Sequence, residues 1–292
     1  MKTDLPPGVH LIPNGIFGHE TYGSTYLLEG KELILVDPGT SDALPNILDW
    51  FENQSIPLSR LSGVLLTHVH LDHAGAAGHL ADELDDLKFY VHQKGAPHLD
   101  DPSDLLDSVR EATGDRFSDY GTLKPISENR IVPIEKKTVL EFGSRKITAL
   151  PTPGHAPHHL AFYDQESESL FPGDGAGLHL EGRLIPSTPP PSFDLEKSLK
   201  SLEKMKELDP DFLLYPHFGP GSNPEKLLNE YRQILQNWVE EIEALYDDFK
   251  GKQRVIDSLM EKRSAWIVDG FTEEELAMNV NGVLRYISWK RG

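Results

Sequence analysis

The residues most able to do chemistry in this chain form one short cluster. Three imidazoles and one carboxylate fall within six residues, those of His68, His70, Asp72 and His73. They follow an apolar run at residues 64–66, which predicts a buried strand. Nitrogen and oxygen ligands of this kind bind divalent metals, and one ion cannot easily use all four. The spacing therefore predicts two metal ions held about 3.5 Å apart.

The order of the four side chains indicates which of them act together. Side chains alternate along an extended chain, so His68 and His70 are expected to point the same way. Asp72 and His73 would follow in a turn, aimed at a second point. A lone histidine is more often a surface or capping residue than a ligand. Four ligand-type residues at this spacing, followed by small residues at 74–78, favour a metal site.

Three later segments repeat one local pattern. A short apolar run is followed by a Pro or Gly break and then by a single ligand-type residue, which is His155, Asp174 or His217. Pro and Gly end a strand and let the next side chain turn inward. We therefore expect these three residues to join the first cluster at neighbouring strand ends.

Taken in order, these motifs resemble the metallo-β-lactamase superfamily. Any one of them after the first is a weak signal, but five in the right order cover most of the chain and form a strong one. The matching segments are Val36-Asp37-Pro38-Gly39, His68-x-His70-x-Asp72-His73, Gly154-His155, Gly173-Asp174 and Pro216-His217.

The resemblance implies an α/β fold, a four-layer αββα sandwich with the metals at one edge. It also implies two metal sites, with Asp37 orienting the ligands through hydrogen bonds. The first ion would be held by His68, His70 and His155, the second by Asp72, His73 and His217, and both by a bridging Asp174.

The residue types narrow the metal and the reaction. The chain has no Cys, which excludes thiolate ligands, so zinc is expected, with iron and manganese left open. Two such ions lower the pKa of water from 15.7 to about 7. We expect a hydrolase that uses a metal-bound hydroxide, with Asp72 as a catalytic residue that positions the second metal and relays a proton.

The substrate is less well defined by the sequence. The segments at 90–92, 95–100 and 186–194 resemble uncharacterised prokaryotic members related to glyoxalase II, which favours a thioester or another carboxylic ester. The glutathione-contacting residues of glyoxalase II have no match in this chain. A lactonase stays open as an alternative, as does a non-catalytic metal-binding module. A persulfide dioxygenase with a single iron would not need His73 and His217.

The composition limits which binding partners and which cellular location are expected. The net charge of −19 over 292 residues argues against a surface that binds nucleic acid. The chain contains no run of 18 apolar residues, so no membrane-spanning helix is expected. The first seven residues lack the apolar core of a signal peptide, and the absence of Cys agrees with a cytoplasmic location. We expect a small-molecule ester or thioester as the partner, and a homodimer from the family.

Two domains are expected, a catalytic domain at residues 1–222 and a small helical appendage at residues 223–292. Helix starts are predicted at Asp194, at Asn223-Pro224 and at Thr272, where Glu275 would complete a capping box. Residues 93–130 read as a long polar loop with one helix after Pro102, and such loops often frame a substrate pocket.

Three features are left with more than one interpretation. The proline-rich segment 186–191 predicts a rigid loop, either a wall of the site or a spacer. The segment 250–263 holds five basic residues, which form either a solvated helix face or a contact for an anionic substrate group. Some further histidines stay candidates for the pocket: His158 and His159 near His155, and His92 and His98 as substrate contacts.

Overall fold

The structure is a computed structural model that describes residues 5–20, 22–217, 219–268 and 271–292. The start of the amino-terminal segment, on which the signal-peptide prediction rests, lies outside the described residues. No described helix combines the length and apolar content needed to cross a membrane.

The first sheet has six strands that lie side by side in chain order. Its first three strands pair antiparallel, and the third to the sixth pair in parallel. The strands are β1 (Val9–Pro13), β2 (Ser24–Leu28), β3 (Leu33–Val36), β4 (Leu61–Leu65), β5 (Lys88–His92) and β6 (Ile131–Ile134).

The second sheet also has six strands, and a separate two-stranded hairpin follows its fourth. The sheet strands are β7 (Thr138–Phe142), β8 (Arg145–Pro151), β9 (Leu160–Asp164), β10 (Ser169–Phe171), β13 (Phe212–Tyr215) and β14 (Gly219–Gly221), and the hairpin is β11 (Leu178–Leu180) with β12 (Arg183–Ile185). Their order in the sheet is β14-β13-β10-β9-β8-β7.

Helices connect the strands and close the chain. The described α-helices are α1 (Leu44–Asn53), α2 (Leu71–Ala74), α3 (Ala77–Glu83), α4 (Ala96–Asp100), α5 (Ser103–Thr113), α6 (Leu195–Lys206), α7 (Pro224–Phe249), α8 (Lys252–Lys262) and α9 (Glu273–Arg291).

The strands are apolar on both faces because each sheet is covered twice. In β3, Leu33 and Leu35 join a core with the helices α1 and α3, while Ile34 and Val36 face the second sheet. In β13, Leu214 faces the first sheet, and its neighbours pack under the carboxy-terminal helices. Three apolar cores between four layers give the αββα sandwich, which confirms the predicted fold.

The predicted helix starts at Asp194, Asn223-Pro224 and Thr272 are confirmed, and one element prediction is wrong. The segment 93–130 holds α4 and α5, where a single helix was expected, because Gly95 and Pro97 start a short helix of their own. The stretch before the prolines forms β12, whose Leu184 and Ile185 are buried in the apolar core beside α7. Residues 186–189 then have no regular structure, as the prolines predict.

The helix caps follow their sequence signals. The side chains of Asp194, Asn223 and Thr272 each accept a hydrogen bond from a backbone N–H in the first turn of α6, α7 and α9. Only half of the predicted capping box forms, because the Glu275 carboxylate accepts bonds from Tyr120 and Arg116.

The carboxy-terminal helices share one apolar core with the second sheet. Trp238 of α7 and Val280 of α9 are fully buried in the same cluster as Leu213 and Tyr215 of β13. Gly282 of α9 lies directly against the backbone at Thr188, where a Cβ would overlap the Thr188 carbonyl oxygen. The boundary between residues 222 and 223 stays a prediction, but α7 to α9 also position the segment after β12.

Replacing Gly282 tests this close approach. Alanine favours a helix over glycine by about 1 kcal/mol. At this position, however, overpacking against backbone costs about 1–3 kcal/mol. We expect Gly282→Ala to lower the free energy of unfolding measured by chemical denaturation, and Ser288→Ala, an exposed change on the same helix, to leave it within about 0.5 kcal/mol. An equally stable Gly282→Ala protein would contradict this packing.

Candidate metal centre and its cavity

The ligand-type residues lie where strands end at one edge of the sandwich. His68 and His70 occupy the loop after β4, and Asp72 and His73 the first turn of α2. His155, Asp174 and His217 follow β8, β10 and β13, which run in the same direction, so their carboxyl ends meet at that edge. Strand ends thus position the ligand-type residues, as the sequence pattern predicts. His68 and His70 lie in the loop beyond β4 and not within the strand.

The seven expected ligands form one cluster. Three groups of side chains bring ligand atoms within 4.8 Å of one another. They are His68 with His70 and His155, His68 with His73 and Asp174, and Asp72 with His73 and His217. The first and third groups have the members that the resemblance implies for its two sites, whereas the second places Asp174 with His68 and His73. The assignment of these residues to two metal ions stays a prediction.

Asp174 lies between the two sets of imidazoles. Its Oδ1 is 3.3 Å from His73 Nε2 and 3.6 Å from His217 Nε2, and its Oδ2 is 3.8 Å from His155 Nε2. Asp72 Oδ2 adds a second carboxylate 3.4 Å from His217 Nε2. Each oxygen of Asp174 thus faces a different group, which is the arrangement a bridging carboxylate requires.

Asp37 orients two of the imidazoles. Its Oδ1 accepts from Thr67 N at 2.8 Å, and its Oδ2 accepts from Thr67 Oγ1 at 2.6 Å and from His73 Nδ1 at 3.0 Å. Because the Thr67 hydroxyl donates to Asp37, it accepts from His68 Nδ1, 3.0 Å away. Both His68 and His73 therefore use Nδ1 for a hydrogen bond and turn Nε2 toward the centre, as metal-binding histidines do.

Ser187, from the proline-rich segment, orients two more of the groups. Its carbonyl oxygen accepts from His155 Nδ1 at 3.2 Å, and its hydroxyl donates to Asp174 Oδ2 at 3.0 Å. Thr188, the next residue, is bonded to Asn279 of α9 through its backbone N–H and its hydroxyl. Sequence reasoning missed Ser187, because a serine beside prolines is typical of any loop.

Burial and mutual contact set the charges of the cluster. Burial lowers the pKa of His70 to about 3, with help from His155, and holds the pKa of His68 well below its usual range. Burial alone would raise the pKa of Asp72, but the imidazoles of His73 and His217 outweigh it and lower the pKa to about 2. Burial alone would lower the pKa of His73, but the carboxylates of Asp72, Asp174 and Asp37 outweigh it and hold that pKa well above its usual range. The site thus offers ionised carboxylates and, at His68 and His70, neutral imidazoles, the forms that bind cations.

Two buried atoms support a cation at this position. His73 Nε2 and Asp174 Oδ1 are buried and have no hydrogen-bond partner among the described residues, although they lie 3.3 Å apart. Leaving such atoms unpaired costs about 1–3 kcal/mol each. In the other group, His70 Nδ1 lies 3.0 Å from His68 Nε2 and 3.1 Å from His155 Nε2. Nitrogen lone pairs converging in this way fit divalent metal ions.

The cluster opens into a cavity of about 240 Å³. Its walls are the faces of α5 and α9, the proline-rich segment, and Phe17, Tyr22 and Tyr120. The expectation that residues 93–130 frame a pocket is confirmed, as is the interpretation of the proline-rich segment as a wall. The five basic residues of 250–263 do not line the cavity, and Lys250, Lys262 and Arg263 pair with carboxylates of α7.

The remaining histidines separate into two groups. His158 and His98 line the cavity, whereas His92 does not and instead accepts from Lys94 N at 3.0 Å. His159 is buried with both nitrogens in use, since Gly175 N donates to Nε2 and Nδ1 bonds the Thr152 hydroxyl. His159 is therefore a packing residue, and His158 faces the pocket.

Comparison with known proteins agrees with this geometry. The sequence profile of the metallo-beta-lactamase superfamily matches residues 20–217. The chain belongs to the metallo-β-lactamase superfamily. Within it, the chain is similar to the metallo-beta-lactamase fold-containing protein ST1585 of Sulfurisphaera tokodaii, with 29% identity over 82% of this chain and 88% of that protein.

Two further members show how far the similarity extends. The structure of a family protein of Thermus thermophilus, TTHA1429, covers 98% of this chain and 94% of its own with a TM-score of 0.73, at 22% identity, and so shows the same fold through the carboxy-terminal helices. A hydroxyacylglutathione hydrolase of Bdellovibrio bacteriovorus is 27% identical over 63% of this chain and 57% of that protein. As a member of this superfamily, the chain is a metal-dependent hydrolase.

Asp37 offers a direct test of the hydrogen-bond network. Asparagine keeps the shape of the side chain and tolerates the positive φ of 47° found at this position. Asparagine has a single acceptor oxygen, so it cannot accept all three hydrogen bonds that the two oxygens of Asp37 receive from Thr67 and His73. The imidazoles therefore lose their fixed orientation. We expect Asp37→Asn to weaken metal binding about 10- to 100-fold in competition with a colorimetric chelator. Asp49→Asn, an exposed change, serves as the control and should bind normally.

Glu275, in the cavity wall, should make stability depend on pH. Burial raises its pKa to about 7, although Tyr120 and Arg116 oppose this. An acid whose pKa is raised by folding stabilises the fold below its unfolded pKa, and this contribution is lost as the pH rises through the folded value. Between about pH 4.5 and 7, Glu275→Gln should therefore gain stability relative to the unmodified protein, by up to about 3 kcal/mol.

The measurement is chemical denaturation of chelator-treated protein across this pH range, because a cation near Asp72 would itself lower the pKa of Glu275. Glu273→Gln removes the same charge from an exposed position of α9 and should show no such trend. A pH-independent difference between Glu275→Gln and the unmodified protein would show that this carboxyl titrates normally.

Proposed function

We propose that the chain is a dinuclear hydrolase of thioesters or other carboxylic esters, with zinc as its metal. The observation that carries the dinuclear assignment is the position of Asp174, whose two oxygens face His155 on one side and His73 with His217 on the other. We assign His68, His70 and His155 to the first ion and Asp72, His73 and His217 to the second.

The bound metals would supply a water of lowered pKa and polarise the substrate carbonyl. The protein residues do the rest of the work. Asp72 lines the cavity, so its free carboxylate oxygen can take the proton of the attacking water and return it to the leaving thiol or alcohol. Asp37 and Ser187 keep the imidazoles and Asp174 in place during this transfer, and the apolar walls limit access of bulk water.

Two observations support an ester-type substrate. The Bdellovibrio bacteriovorus protein to which this chain is similar is, by its name, a hydrolase of an acylated glutathione. The cavity is lined mostly by apolar and neutral side chains, which suits the aliphatic part of an acyl group. A lactone presents the same carbonyl chemistry and is the second candidate.

Hydrolysis of matched thioesters and lactones by zinc-loaded protein tests the proposal. We expect thioester turnover that falls at least about 100-fold in Asp72→Ala, because both a ligand and a proton acceptor are lost. Asp86→Ala, an exposed substitution in the loop before β5, should keep full activity. Turnover of lactones alone would favour a lactonase, and no turnover of either would contradict the proposal.

Metal analysis of the same samples tests the dinuclear assignment separately. We expect about two zinc ions per chain by mass spectrometry of metal-replete protein, since both ligand groups are present. Asp174→Ala removes the group that faces both sites and should lower the content of both. A firm stoichiometry of one in metal-replete protein would contradict the two-site proposal.

A further inference from the structure

The cavity carries a charge pattern that the metal centre does not explain. Among the described residues that line it there is no Lys or Arg, while Glu275 adds a carboxylate that is not one of the candidate metal ligands. A pocket built to hold an anionic substrate group would present a basic side chain to it. This cavity presents an acidic one, although a buried carboxylate is costly to place next to apolar walls.

Glu275 is fixed in the wall by two donors. Tyr120 Oη donates to its Oε1 at 3.0 Å and Arg116 Nη1 donates to the same oxygen at 3.3 Å. No described residue bonds Oε2, and the residue is only 8% exposed. One oxygen thus anchors the side chain, which leaves the other for the cavity that the residue lines.

Arg116 does not cancel the charge of this wall. Its guanidinium is shared with a second carboxylate, since Arg116 Nε donates to Asp119 Oδ2 at 3.0 Å. One cation therefore faces two carboxylates, Asp119 and Glu275, and the group keeps an excess of one negative charge when both are ionised. Arg116 also bonds the hydroxyl of Thr272, so it ties the segment after α5 to the start of α9.

The two helix faces around Glu275 are otherwise apolar or neutral. On α5, Leu105, Val109 and Ala112 recur at helical spacing and line one side of the cavity. On α9, Met278 lies one turn after Glu275 and lines the other side. An acyl chain or a neutral leaving group fits between these faces, whereas a carboxylate, sulfonate or phosphate there would meet Glu275 and no Lys or Arg among the described lining residues.

We propose that Glu275 is a specificity-determining residue that selects uncharged substrates and rejects those with an anionic group away from the scissile carbonyl. The inference rests on the proposed ester or thioester hydrolysis and names its substrate class, a neutral, largely apolar acyl compound. It sets this chain apart from enzymes that hold a substrate by an anionic handle, because the cavity repels such a handle.

Three thioesters test the selection. The neutral compound is hexanoyl-N-acetylcysteamine, the second carries a carboxylate on the acyl side (the adipoyl monothioester), and the third carries a sulfonate on the thiol side (the hexanoyl thioester of 2-mercaptoethanesulfonate). The value of kcat/KM is measured for each with zinc-loaded protein at pH 8.5, above the pKa of Glu275, which burial raises to about 7. The readout is the ratio of neutral to anionic kcat/KM.

We expect the unmodified protein to prefer the neutral thioester, and Glu275→Gln to lower the neutral-to-anionic ratio about tenfold for at least one anionic compound. The repulsion between the Glu275 carboxylate and an anionic substrate group about 12 Å away, at an effective dielectric constant of about 20, corresponds to about this tenfold factor. Intrinsic reactivity and any binding of the anion to metal cancel when the two ratios are compared. Glutamine can still accept from Tyr120 and Arg116, so the wall keeps its shape.

The matched control is Glu273→Gln, which removes the same charge from an exposed position in the first turn of α9. Its ratio should equal that of the unmodified protein. An unchanged ratio in Glu275→Gln, or an equal change in both variants, would overturn the proposal, because the selection would then lie elsewhere or in the overall charge.

A binding measurement separates this inference from the proposed reaction. Calorimetric titration with hexanamide and with adipic acid monoamide needs no turnover, and the preference for the neutral amide should shrink in Glu275→Gln. If no thioester is hydrolysed but this preference and its dependence on Glu275 are found, the proposed function fails and the selection stands. If thioesters are hydrolysed without any such preference, the selection fails and the proposed function stands.

Discussion

The carboxylate of Asp37 is the constraint on which the metal centre depends. It comes directly after β3, is 3% exposed, and accepts three hydrogen bonds, two of them from Thr67 in the loop after the neighbouring β4. Through Thr67 it directs His68, and through its own Oδ2 it directs His73. A single buried anion thus fixes the protonated nitrogen of two imidazoles, which a flexible loop alone could not do.

A second chain of contacts reaches the same centre from the opposite side of the cavity. Helices α7 and α9 hold Thr188, through the indole of Trp238 and the backbone and amide of Asn279. Thr188 places Ser187, whose carbonyl and hydroxyl direct His155 and Asp174. The carboxy-terminal helices are therefore part of the support of the metal centre.

The same helices give the cavity its chemical character. Strand ends supply the candidate ligands, but α5 and α9 supply the walls. These walls are apolar or neutral except at Glu275, which Tyr120 and Arg116 hold across the cavity from α5. A fold can keep its metal chemistry and change its substrate in this way, because the ligands and the walls come from different elements.

The sequence by itself determined many of the elements and the list of candidate ligands. Alternating and continuous apolar runs predicted the strands, cap residues predicted the starts of α6, α7 and α9, and Pro or Gly breaks before His155, Asp174 and His217 marked the strand ends. These signals are local: each depends on residues within a few positions, so they can be read without knowing what lies nearby in space.

Only the tertiary structure decided which groups surround the ligands. The bond from Ser187 to Asp174 and the contact of Tyr120 with Glu275 join residues 13 and 155 positions apart, and neither has a sequence signature. The spacing of Glu275 from Thr272 predicts only a capping role. Its burial opposite Tyr120 instead makes it part of the cavity wall, since the position of α9 relative to α5 is set by packing over the whole core.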